Sequence, residues 1–285
     1  MDPIQRAILR ADPRLSKFDS LPRILFFDNF TTGMSGWNLL IGNYTESLDR
    51  RLPQYKQFTS PMLSNVTHWD TGTHGALDGS YALKLATRPV QGAQTVCLKR
   101  LTFQKACPLR FECYFTFKPE ATELKLSELD VRSVGVVFDF QDQDRRVLPQ
   151  VRYLNALNEK PMHRWQYKDK TIPFQEVGEK TVTVYHYGEE NWEDIPGGGQ
   201  RLCYNEVPTK INWHYLKVGF DLRTMRYTEL RCNDHSFNVS HLGGITIPAM
   251  PNLWNLLNVI LFVNTDANKR AFAYFDSILL SGDWE

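Results

Sequence analysis

The sequence predicts an all-β protein, an antiparallel two-sheet jelly-roll sandwich with a short N-terminal helix. Beyond residues 1–22, apolar and polar side chains alternate with a period of two in many short segments, as expected for strands with one buried face. Turn-forming clusters such as Asp78-Gly79-Ser80 and Pro196-Gly197-Gly198-Gly199 separate these segments, and helical periodicity is almost absent. With 42% hydrophobic residues, the chain can bury a sizeable core. Two packed sheets are the usual solution for such a pattern.

The N-terminal helix is the first predicted element and belongs to an extension over residues 1–22. Asp2 and Pro3 fit an N-cap followed by a first-turn proline, and Ile4 and Ile8 share one helical face. The segment holds charged residues where a secretory signal requires an apolar centre. The five cysteines are odd in number and lack Cys-x-x-Cys spacing. Together these features favour a cytoplasmic protein with reduced thiols.

Residues 23–285 are predicted to form a single β-sandwich domain, because no linker changes the composition enough to divide them. The clearest strand begins at Leu109, where an apolar row alternates with polar residues as far as Phe117. Two stretches without a regular pattern, 31–79 and 141–175, are predicted to be functional loops or rims. Further strands are predicted at 23–27, 81–87, 94–101, 134–140, 181–187, 200–205, 214–222, 226–232, 256–263 and 271–280.

Charge and hydropathy argue against two classes of partner. Lys plus Arg number 33 against 32 Asp plus Glu, a net charge of +1, whereas backbone-driven nucleic-acid binding needs a basic face that displaces counterions. No apolar run approaches the roughly 20 residues of a membrane-spanning helix. We therefore expect neither a nucleic acid nor a membrane as the partner. Gly197-Gly198-Gly199 follows no strand–helix signal, and no organic cofactor is expected.

Four motifs carry a resemblance to known families. Residues 25–37 (Leu-Phe-Phe-Asp-Asn-Phe-Thr-Thr-Gly-Met-Ser-Gly-Trp) and 273–280 (Ala-Tyr-Phe-Asp-Ser-Ile-Leu-Leu) are similar to the first and last strands of certain jelly-roll domains. Those domains belong to the concanavalin A-like (laminin G-like, glucanase-like) and galactose-binding-like groups. Residues 77–85 resemble a hairpin of the same groups, and residues 213–233 resemble their paired strands. The chain thus resembles an uncharacterised bacterial family within the concanavalin A-like superfamily.

This resemblance implies carbohydrate as the ligand class, because such sandwiches commonly bind or cleave glycans. We therefore predict a carbohydrate-recognising protein, with an intracellular glycoside-processing hydrolase or lyase as one form of it. The E-x-D-x-x-E string of the glucanases does not occur, so their retaining hydrolysis is not supported. Two alternatives stay open. One is a non-catalytic glycan-binding module, and the other is a structural or subunit protein, such as a homo-oligomer, with the aromatic-rich hairpin as its interface.

The densest set of candidate ligand-binding residues lies in that hairpin. Arg152, Arg164 and Asn155 offer donors for hydroxyl or carboxylate groups. Trp165 and Tyr167 offer rings for the C–H face of a pyranose. Strand alternation puts the arginine face opposite the aromatic face unless a bulge re-aims one residue. We predict that the arginine pair faces the ligand. The alternative is a solvated outer face with cross-strand ion pairs.

A second cluster lies in residues 68–75, where Trp69, Asp70 and His74 are predicted to form a substrate-facing loop. Trp69 would be the stacking platform, and His74 a general acid or base, because imidazole titrates near neutral pH. A metal site there is less favoured, because His-x-Asp-x3-His is not an established ligand spacing. The site is placed where this loop meets residues 139–168. The catalytic candidates are His74, Asp139, Asp142 and His163, and Asp70 or Asp139 would balance the arginines.

The resemblance also implies a structural calcium ion. In related jelly rolls, carboxylates on the terminal strands hold calcium between the strands, and Asp28, Asn29 and Asp276 stand in the corresponding motifs. Calcium takes six to eight oxygen ligands, so these three would supply only part of its shell. The alternative is a capping or turn role for each of them.

Overall fold

Two antiparallel sheets pack face to face as a sandwich, and one short helix, α1 (Pro3–Ala11), precedes them, which confirms the predicted fold class. The helix ends before Pro13, which has no backbone N–H. Ile4 and Ile8 are 68% and 63% exposed, so the helix does not bury its apolar face in the sandwich. The structure is a computed structural model that describes residues 3–39, 58–65, 76–120, 126–170, 175–177, 180–182, 188–202 and 211–284.

The described residues form nineteen strands, which share the two sheets and one separate two-stranded ladder. In chain order they are β1 (Arg23–Asp28), β2 (Trp37–Leu39), β3 (Met62–Ser64), β4 (Ala82–Ala86), β5 (Gln94–Thr102), β6 (Pro108–Pro119), β7 (Val131–Gln141), β8 (Arg145–Leu148), β9 (Gln150–Leu157), β10 (Lys160–Lys168), β11 (Gln175–Val177), β12 (Lys180–Val182), β13 (Glu193–Gly199), β14 (His214–Asp221), β15 (Arg226–Cys232), β16 (His235–Phe237), β17 (Ile245–Pro248), β18 (Leu256–Thr265) and β19 (Ala271–Gly282).

One sheet has eight strands in the order β16-β15-β14-β6-β19-β4-β3, and β1 also pairs with β19. The other has nine strands in the order β13-β10-β9-β7-β18-β5-β2, with β8 and β17 paired beside β7. Strands from distant parts of the chain are neighbours, such as β6 with β19 and β7 with β18. Such long connections between antiparallel neighbours are typical of a jelly roll.

Alternate residues of both sheets fill the space between them. The predicted apolar row of β6, which runs from Leu109 to Phe117, faces this core, and none of its five residues is more than 3% exposed. The polar residues between them point to the outer face of the eight-stranded sheet. On its own outer face, the nine-stranded sheet carries a second, smaller apolar cluster of Phe58, Val96, Leu98, Val137, Ile260 and Phe262.

Gly135 of β7 allows this second cluster and a buried arginine to lie side by side. It lies between Arg152 on β9 and Phe262 on β18. A Cβ atom on Gly135 would lie 2.6 Å from Cζ of Phe262 and 2.5 Å from the carbonyl oxygen of Val151. Any side chain at this position would push the ring away from the sheet, so the close approach requires glycine.

Strand β13 differs from the prediction. The sequence predicts a turn at residues 196–199, whereas the structure has an edge strand of the nine-stranded sheet there. Pro196 is tolerated because an edge strand does not need every N–H for its ladder. Gly197 has a φ of 69°, and the pairing with β10 shifts register between Arg164 and Gln166. The strand is thus irregular but still closes this side of the sheet.

Candidate functional site

The outer face of the nine-stranded sheet holds three of the predicted site residues that the structure describes, Asp139, Arg152 and Arg164. Because Phe138 of β7 points into the core, Asp139 and Gln141 point outward. This face has two ends. The closed end lies around Arg152, where residues 188–194 contact it. The open end lies around Gln141, where β7 ends and β18 begins.

Arg152 is the centre of the closed end and is only 4% exposed. Its Nε donates to Oε1 of Gln166 at 2.8 Å, and its Nη1 donates to Oε2 of Glu189 at 2.7 Å. The guanidinium carbon lies 4.3 Å from the ring centroid of Trp192. Burial lowers the pKa of Arg152, and the Glu189 carboxylate opposes this shift. The buried guanidinium thus has an amide, a carboxylate and a ring as partners, which offset its loss of water.

Glu189 connects Arg152 to a second charged pair. Nδ2 of Asn264 donates to Oε1 of Glu189 at 2.6 Å, and Nη1 of Arg132 lies 3.8 Å from its Oε2. Nε of Arg132 donates to Oδ1 of Asp266 at 2.8 Å, and Asp266 is fully buried. Two arginines, Arg132 and Arg152, therefore lie beside two carboxylates of the same chain, and the charges of these four side chains balance.

Lys168 is a further buried cation at the closed end. Its Nζ donates to the carbonyl oxygen of Gly188 at 2.6 Å and lies 4.8 Å from the ring centroid of Trp192. Burial, followed by the positive charge of Arg152, lowers the pKa of Lys168 to about 8. The Trp192 ring thus contacts two cations of its own chain.

Arg164 is held by a second acidic residue of the covering segment. Its Nη1 donates to Oδ2 of Asp194 at 2.5 Å, and Nε2 of Gln166 donates to Oδ1 of Asp194 at 2.8 Å. Burial raises the pKa of Asp194, but the hydrogen bonds from Gln166 and Arg164 outweigh burial and lower it. Residues 188–194 therefore supply counter-charges to both arginines, whereas the predicted Asp139 pairs elsewhere.

Trp165 and Tyr167 face the core, on the opposite side of β10 from Arg164. Trp165 is 1% exposed, and its Nε1 donates to Oε1 of Gln200 at 2.9 Å. Tyr167 is 9% exposed, and its hydroxyl donates to Oε2 of Glu193 at 3.0 Å. Neither ring is accessible to a sugar or to a partner subunit. The aromatic-rich hairpin therefore offers no stacking platform through these two residues.

Asn155 and Asp139 also have partners within the structure. Nδ2 of Asn155 donates to the carbonyl oxygens of Glu128 and Val131 at 2.7 and 3.0 Å. Asp139 accepts two hydrogen bonds from Arg146, from Nε at 2.7 Å and from Nη2 at 2.8 Å. Both side chains are almost fully buried. The bidentate ion pair with Arg146 therefore does not leave Asp139 available as an acid or base.

The other two described catalytic candidates lie at opposite ends of the sheet. His163 stands where the β9–β10 pairing shifts register, with a φ of 49°, and its Nε2 is 3.9 Å from Oε1 of Glu128. Asp142 stands in the β7–β8 turn, where its Oδ1 accepts the N–H groups of Asp144 and Arg145 at 2.9 and 2.7 Å. Burial raises the pKa of Asp142, but these hydrogen bonds lower it by more. The structure does not bring the two candidates together.

Six predicted residues remain: Asn29, three residues of the 68–75 loop, and the calcium candidates Asp28 and Asp276. Oδ1 of Asn29 accepts the N–H of Thr31 at 3.3 Å in the turn after β1, which is a local role. Trp69, Asp70 and His74 lie outside the described residues. Their position against this face stays a prediction.

The predicted calcium ligands Asp28 and Asp276 have N–H and ammonium partners. Oδ2 of Asp28 accepts from Nζ of Lys99 at 2.8 Å and from Nε1 of Trp37 at 2.9 Å. Oδ2 of Asp276 accepts the backbone N–H groups of residues 77–78 at 2.8 and 3.0 Å, and burial raises the pKa of Asp276 to about 7. Within the described ranges, no three His, Cys, Asp or Glu are grouped to hold a metal. These contacts do not fit one shared cation, and calcium stays an untested prediction.

The open end carries an exposed ring that the sequence analysis missed. Trp254, in the turn between β17 and β18, is 62% exposed. The fully buried Gln141 holds this turn from below. Its Nε2 donates to the carbonyl oxygens of Met250, at 2.8 Å, and Leu253, and its Oε1 accepts the N–H of Met250 at 2.9 Å. One side-chain amide thus uses both its donor and its acceptor to fix the turn.

The same turn is fixed on its other side. Asn252 and Asn255 have φ values of 60° and 57°, in the left-handed region that asparagine adopts more readily than most residues. The carbonyl oxygen of Asn255 accepts the N–H of Phe103 at 3.0 Å. Trp254 is therefore held outward by an ordered turn.

Polar groups surround the open end. The β7–β8 turn starts directly after Gln141 and ends at Arg145, the first residue of β8, which is ion-paired with Asp142 at 3.0 Å and remains half exposed. On the neighbouring strands, the exposed Arg100 of β5 stands opposite Asn258 of β18. Oδ1 of Asn258 is buried and has no hydrogen-bond partner among the described residues. A ring, two guanidinium groups and a carboxylate thus belong to one edge of the sheet.

Two findings bear on the predictions about membranes and thiols. None of the helices in the described part of the chain is long and apolar enough to cross a membrane. Cys97, Cys107, Cys113 and Cys232 are free and buried, and burial raises the pKa of Cys107 and Cys113. The cytoplasmic location stays a prediction.

Comparison with curated proteins finds no significant match. Among solved structures, the CBM2 module of the evolved Dit of Lactobacillus casei BL23 phage J-1 has a TM-score of 0.41 and 11% identity, over 92% of this chain and 97% of that chain. The lectin UEA-II complexed with galactose has a TM-score of 0.39 and 10% identity, over 73% and 90%. A pseudo β-1,3-glucanase of Mycobacterium tuberculosis has a TM-score of 0.39 and 13% identity, over 92% and 99%. At these TM-scores and identities, the likenesses do not indicate what this chain binds.

Comparison with protein families gives a match over nearly the whole chain. The matching family covers every strand of both sheets and all but the first two residues of the helix. The protein belongs to the family described as Domain of unknown function (DUF6772), which matches residues 5–284.

Proposed function

We propose that the protein binds glycans at the open end of the nine-stranded sheet without acting on them. The observation that carries the proposal is Trp254, whose side chain is 62% exposed while the buried Gln141 fixes the backbone of the turn that carries it. Because the backbone of the turn is already ordered, a ligand that binds the ring orders only the side chain, with less loss of conformational entropy. Exposure and fixation together favour a recognition site.

The residue types at the open end suit a sugar. A pyranose has C–H groups on its faces and hydroxyl groups around its rim. An indole ring covers the C–H face, while a guanidinium or a carboxylate binds neighbouring hydroxyl groups. Arg145 and Asp142 in the β7–β8 turn, and Arg100 on β5, provide such groups beside the Trp254 turn.

The two described carboxyl groups that were predicted to be catalytic, Asp139 and Asp142, support recognition rather than turnover. Glycoside hydrolysis requires one carboxylic acid that stays protonated and a second carboxylate across the scissile bond. Asp139 forms a bidentate ion pair with Arg146, and the pKa of Asp142 is lowered by its hydrogen bonds despite its partial burial. Both act as acceptors, and neither provides the proton that a leaving group needs.

A glycan array tests this proposal with the wild-type protein and Trp254→Ala. We expect the wild type to bind a defined set of glycans. Trp254→Ala should lose about tenfold or more in affinity, because a central aromatic anchor contributes about 2 kcal/mol or more to binding. Tyr81→Ala is the matched control, because Tyr81 is also aromatic and is 42% exposed beside β4 of the other sheet.

The control variant should bind like the wild type. Thermal melts of both variants should coincide with that of the wild type, since neither residue belongs to a core cluster. A wild-type protein that binds no glycan on the array, or a Trp254→Ala variant with unchanged affinity, would show the proposal to be wrong.

A further inference from the structure

The outer face of the eight-stranded sheet has two halves, and the lysines of the two halves differ in whether a carboxylate lies beside them. One half lies under residues 17–21, where the N–H of Asp19 donates to Oε1 of Glu112 at 2.7 Å. In that half, Nζ of Lys217 lies 3.1 Å from Oδ2 of Asp19 and also pairs with Glu229. The buried lysine of this half is therefore matched by carboxylates of its own chain.

The second half lies on β4, β19 and β6 and carries two lysines beside two rings. Lys84 is opposite Tyr274 in the β4–β19 register, and Lys118 is opposite Phe272 in the β19–β6 register. Nζ of Lys84 lies 4.5 Å from the ring centroid of Phe272 and 5.8 Å from that of Tyr274. Nζ of Lys118 lies 5.7 Å from the centroid of Tyr274. Both ammonium groups thus contact the same ring from neighbouring strands.

Within the described ranges, neither ammonium group has a carboxylate at ion-pair distance. Glu120 is held by Arg270, whose Nε donates to its Oε1 at 2.7 Å, and Arg270 also lies 5.8 Å from the Phe272 centroid. Burial lowers the pKa of both lysines; Arg270 adds to the shift of Lys84, and Lys84 to that of Lys118. Among the described residues of this half, the positive charges of Lys84, Lys118 and Arg270 are thus balanced by the Glu120 carboxylate alone.

A half-buried ammonium group without a counter-charge is unfavourable. We infer that Lys84 and Lys118 form a binding site for an oxyanion group, a carboxylate, sulfate or phosphate, beside the Tyr274 ring. The apolar cluster that contains Phe272 and Tyr274, with Trp213 packed against it, offers a surface for the body of an organic anion. An acidic sugar combines both features, whereas an inorganic anion has only the charge. This site lies on the other sheet from Trp254 and does not depend on it.

Calorimetric titration with simple anions tests the inference. Sodium glucuronate, sulfate and phosphate are titrated at matched ionic strength into the wild type and into the double variant Lys84→Met/Lys118→Met. Methionine keeps an unbranched apolar stem against the rings and removes the charge. We expect at least one anion to bind the wild type. The double variant should lose about tenfold or more in affinity, because charge-assisted hydrogen bonds are lost.

The three anions also distinguish the source of the oxyanion. Tighter binding of glucuronate than of both inorganic anions identifies an acidic sugar, and the reverse order identifies a sulfate or phosphate ligand. Lys160→Met is the matched control, because Lys160 is an exposed lysine at the start of β10 on the other sheet. It should bind anions like the wild type.

Two results would overturn the inference. One is equal affinity of the wild type and the double variant, and the other is a wild type that binds none of the three anions. Thermal melts accompany the titrations, and we expect little loss of stability, since among the described residues the two lysines have ring contacts but no ion pair to break. If the double variant does not fold, the two single variants are titrated in the same way, and each should show weaker binding.

Discussion

The two ends of the outer face of the nine-stranded sheet use the same residue types differently. At the closed end, residues 188–194 cover Arg152 of β9. The Trp192 ring of this segment lies 4.3 Å from the guanidinium carbon, and its Glu189 accepts a hydrogen bond from Arg152. At the open end, Arg145 remains half exposed and Trp254 is 62% exposed. The closed end supplies its own counter-charges, whereas the open end presents its ring to solvent.

This difference teaches that an arginine beside a tryptophan does not by itself mark a binding site. At the closed end the arginine has a carboxylate, an amide and a ring as internal partners, so a ligand would have to displace them. At the open end a ligand would meet groups that are already exposed. Burial and internal partners, rather than residue type, separate the two.

The largest expected effect is on stability at the closed end. Arg152→Ala leaves the Glu189 carboxylate without its closest cationic partner, and we expect the free energy of unfolding to fall by roughly 3 kcal/mol. That is the lower part of the range for a broken buried pair, because Glu189 keeps some contact with water. Urea denaturation measures it. Glycan affinity at the open end should not change.

Arg164→Ala is the matched control for that variant. Its ion pair with Asp194 is 38% and 48% exposed on its two sides, so its loss should reduce the free energy of unfolding by less than about 1 kcal/mol. If Arg152→Ala lowered the free energy of unfolding no more than Arg164→Ala does, the contacts of Arg152 with residues 188–194 would not contribute to the stability of the fold.

A smaller effect is expected where the Trp254 turn is held. Gln141→Ala leaves two backbone carbonyls and one N–H of the turn without their partner, and we expect a loss of about 1–3 kcal/mol of stability. Because the turn that carries the ring is no longer fixed, glycan affinity should fall several-fold as well. Gln91→Ala, at an exposed loop position, should change neither. If Gln141→Ala bound glycans with unchanged affinity, the order of the Trp254 turn would not contribute to glycan binding.

The sandwich was predictable because each strand with one buried face repeats a local pattern of alternation. The row that starts at Leu109 shows this, since its five apolar residues face the core as expected. Strand β13 was not predictable from the same rule. Its Pro196 and Gly197 are turn formers, and only its place at the sheet edge makes them compatible with a strand.

The site was harder to predict because its contacts join distant parts of the chain. Arg152 and Glu189 are 37 residues apart, and no local pattern pairs them. Alternation did separate the arginine face of β10 from Trp165, but the loop with Trp69 lies outside the described residues. Trp254 stands in a turn, where no periodicity applies; its position within a few residues of two asparagines was the one available signal.

The smallest expected effect is a pH dependence that comes from the closed end. The pKa of Lys168 is about 8 in the folded protein, lowered by burial and by Arg152 from the ordinary 10.5. Between these values the unfolded chain binds a proton that the folded chain does not, so this group makes stability rise with pH from about 8 towards 10.5. Urea denaturation at pH values across this window should show a weaker rise for Lys168→Met than for the wild type. An identical rise in both would mean that Lys168 titrates at its ordinary pKa.

One NMR titration compares the two ends within a single sample. The indole N–H signals of Trp254 and Trp192, assigned by Trp254→Phe and Trp192→Phe, report the open and the closed end, and the ligand is a glycan selected on the array. We expect the Trp254 signal to shift with increasing occupancy while the Trp192 signal stays in place. A shift of the Trp192 signal with an unmoved Trp254 signal would contradict the assignment of the ligand site to the open end.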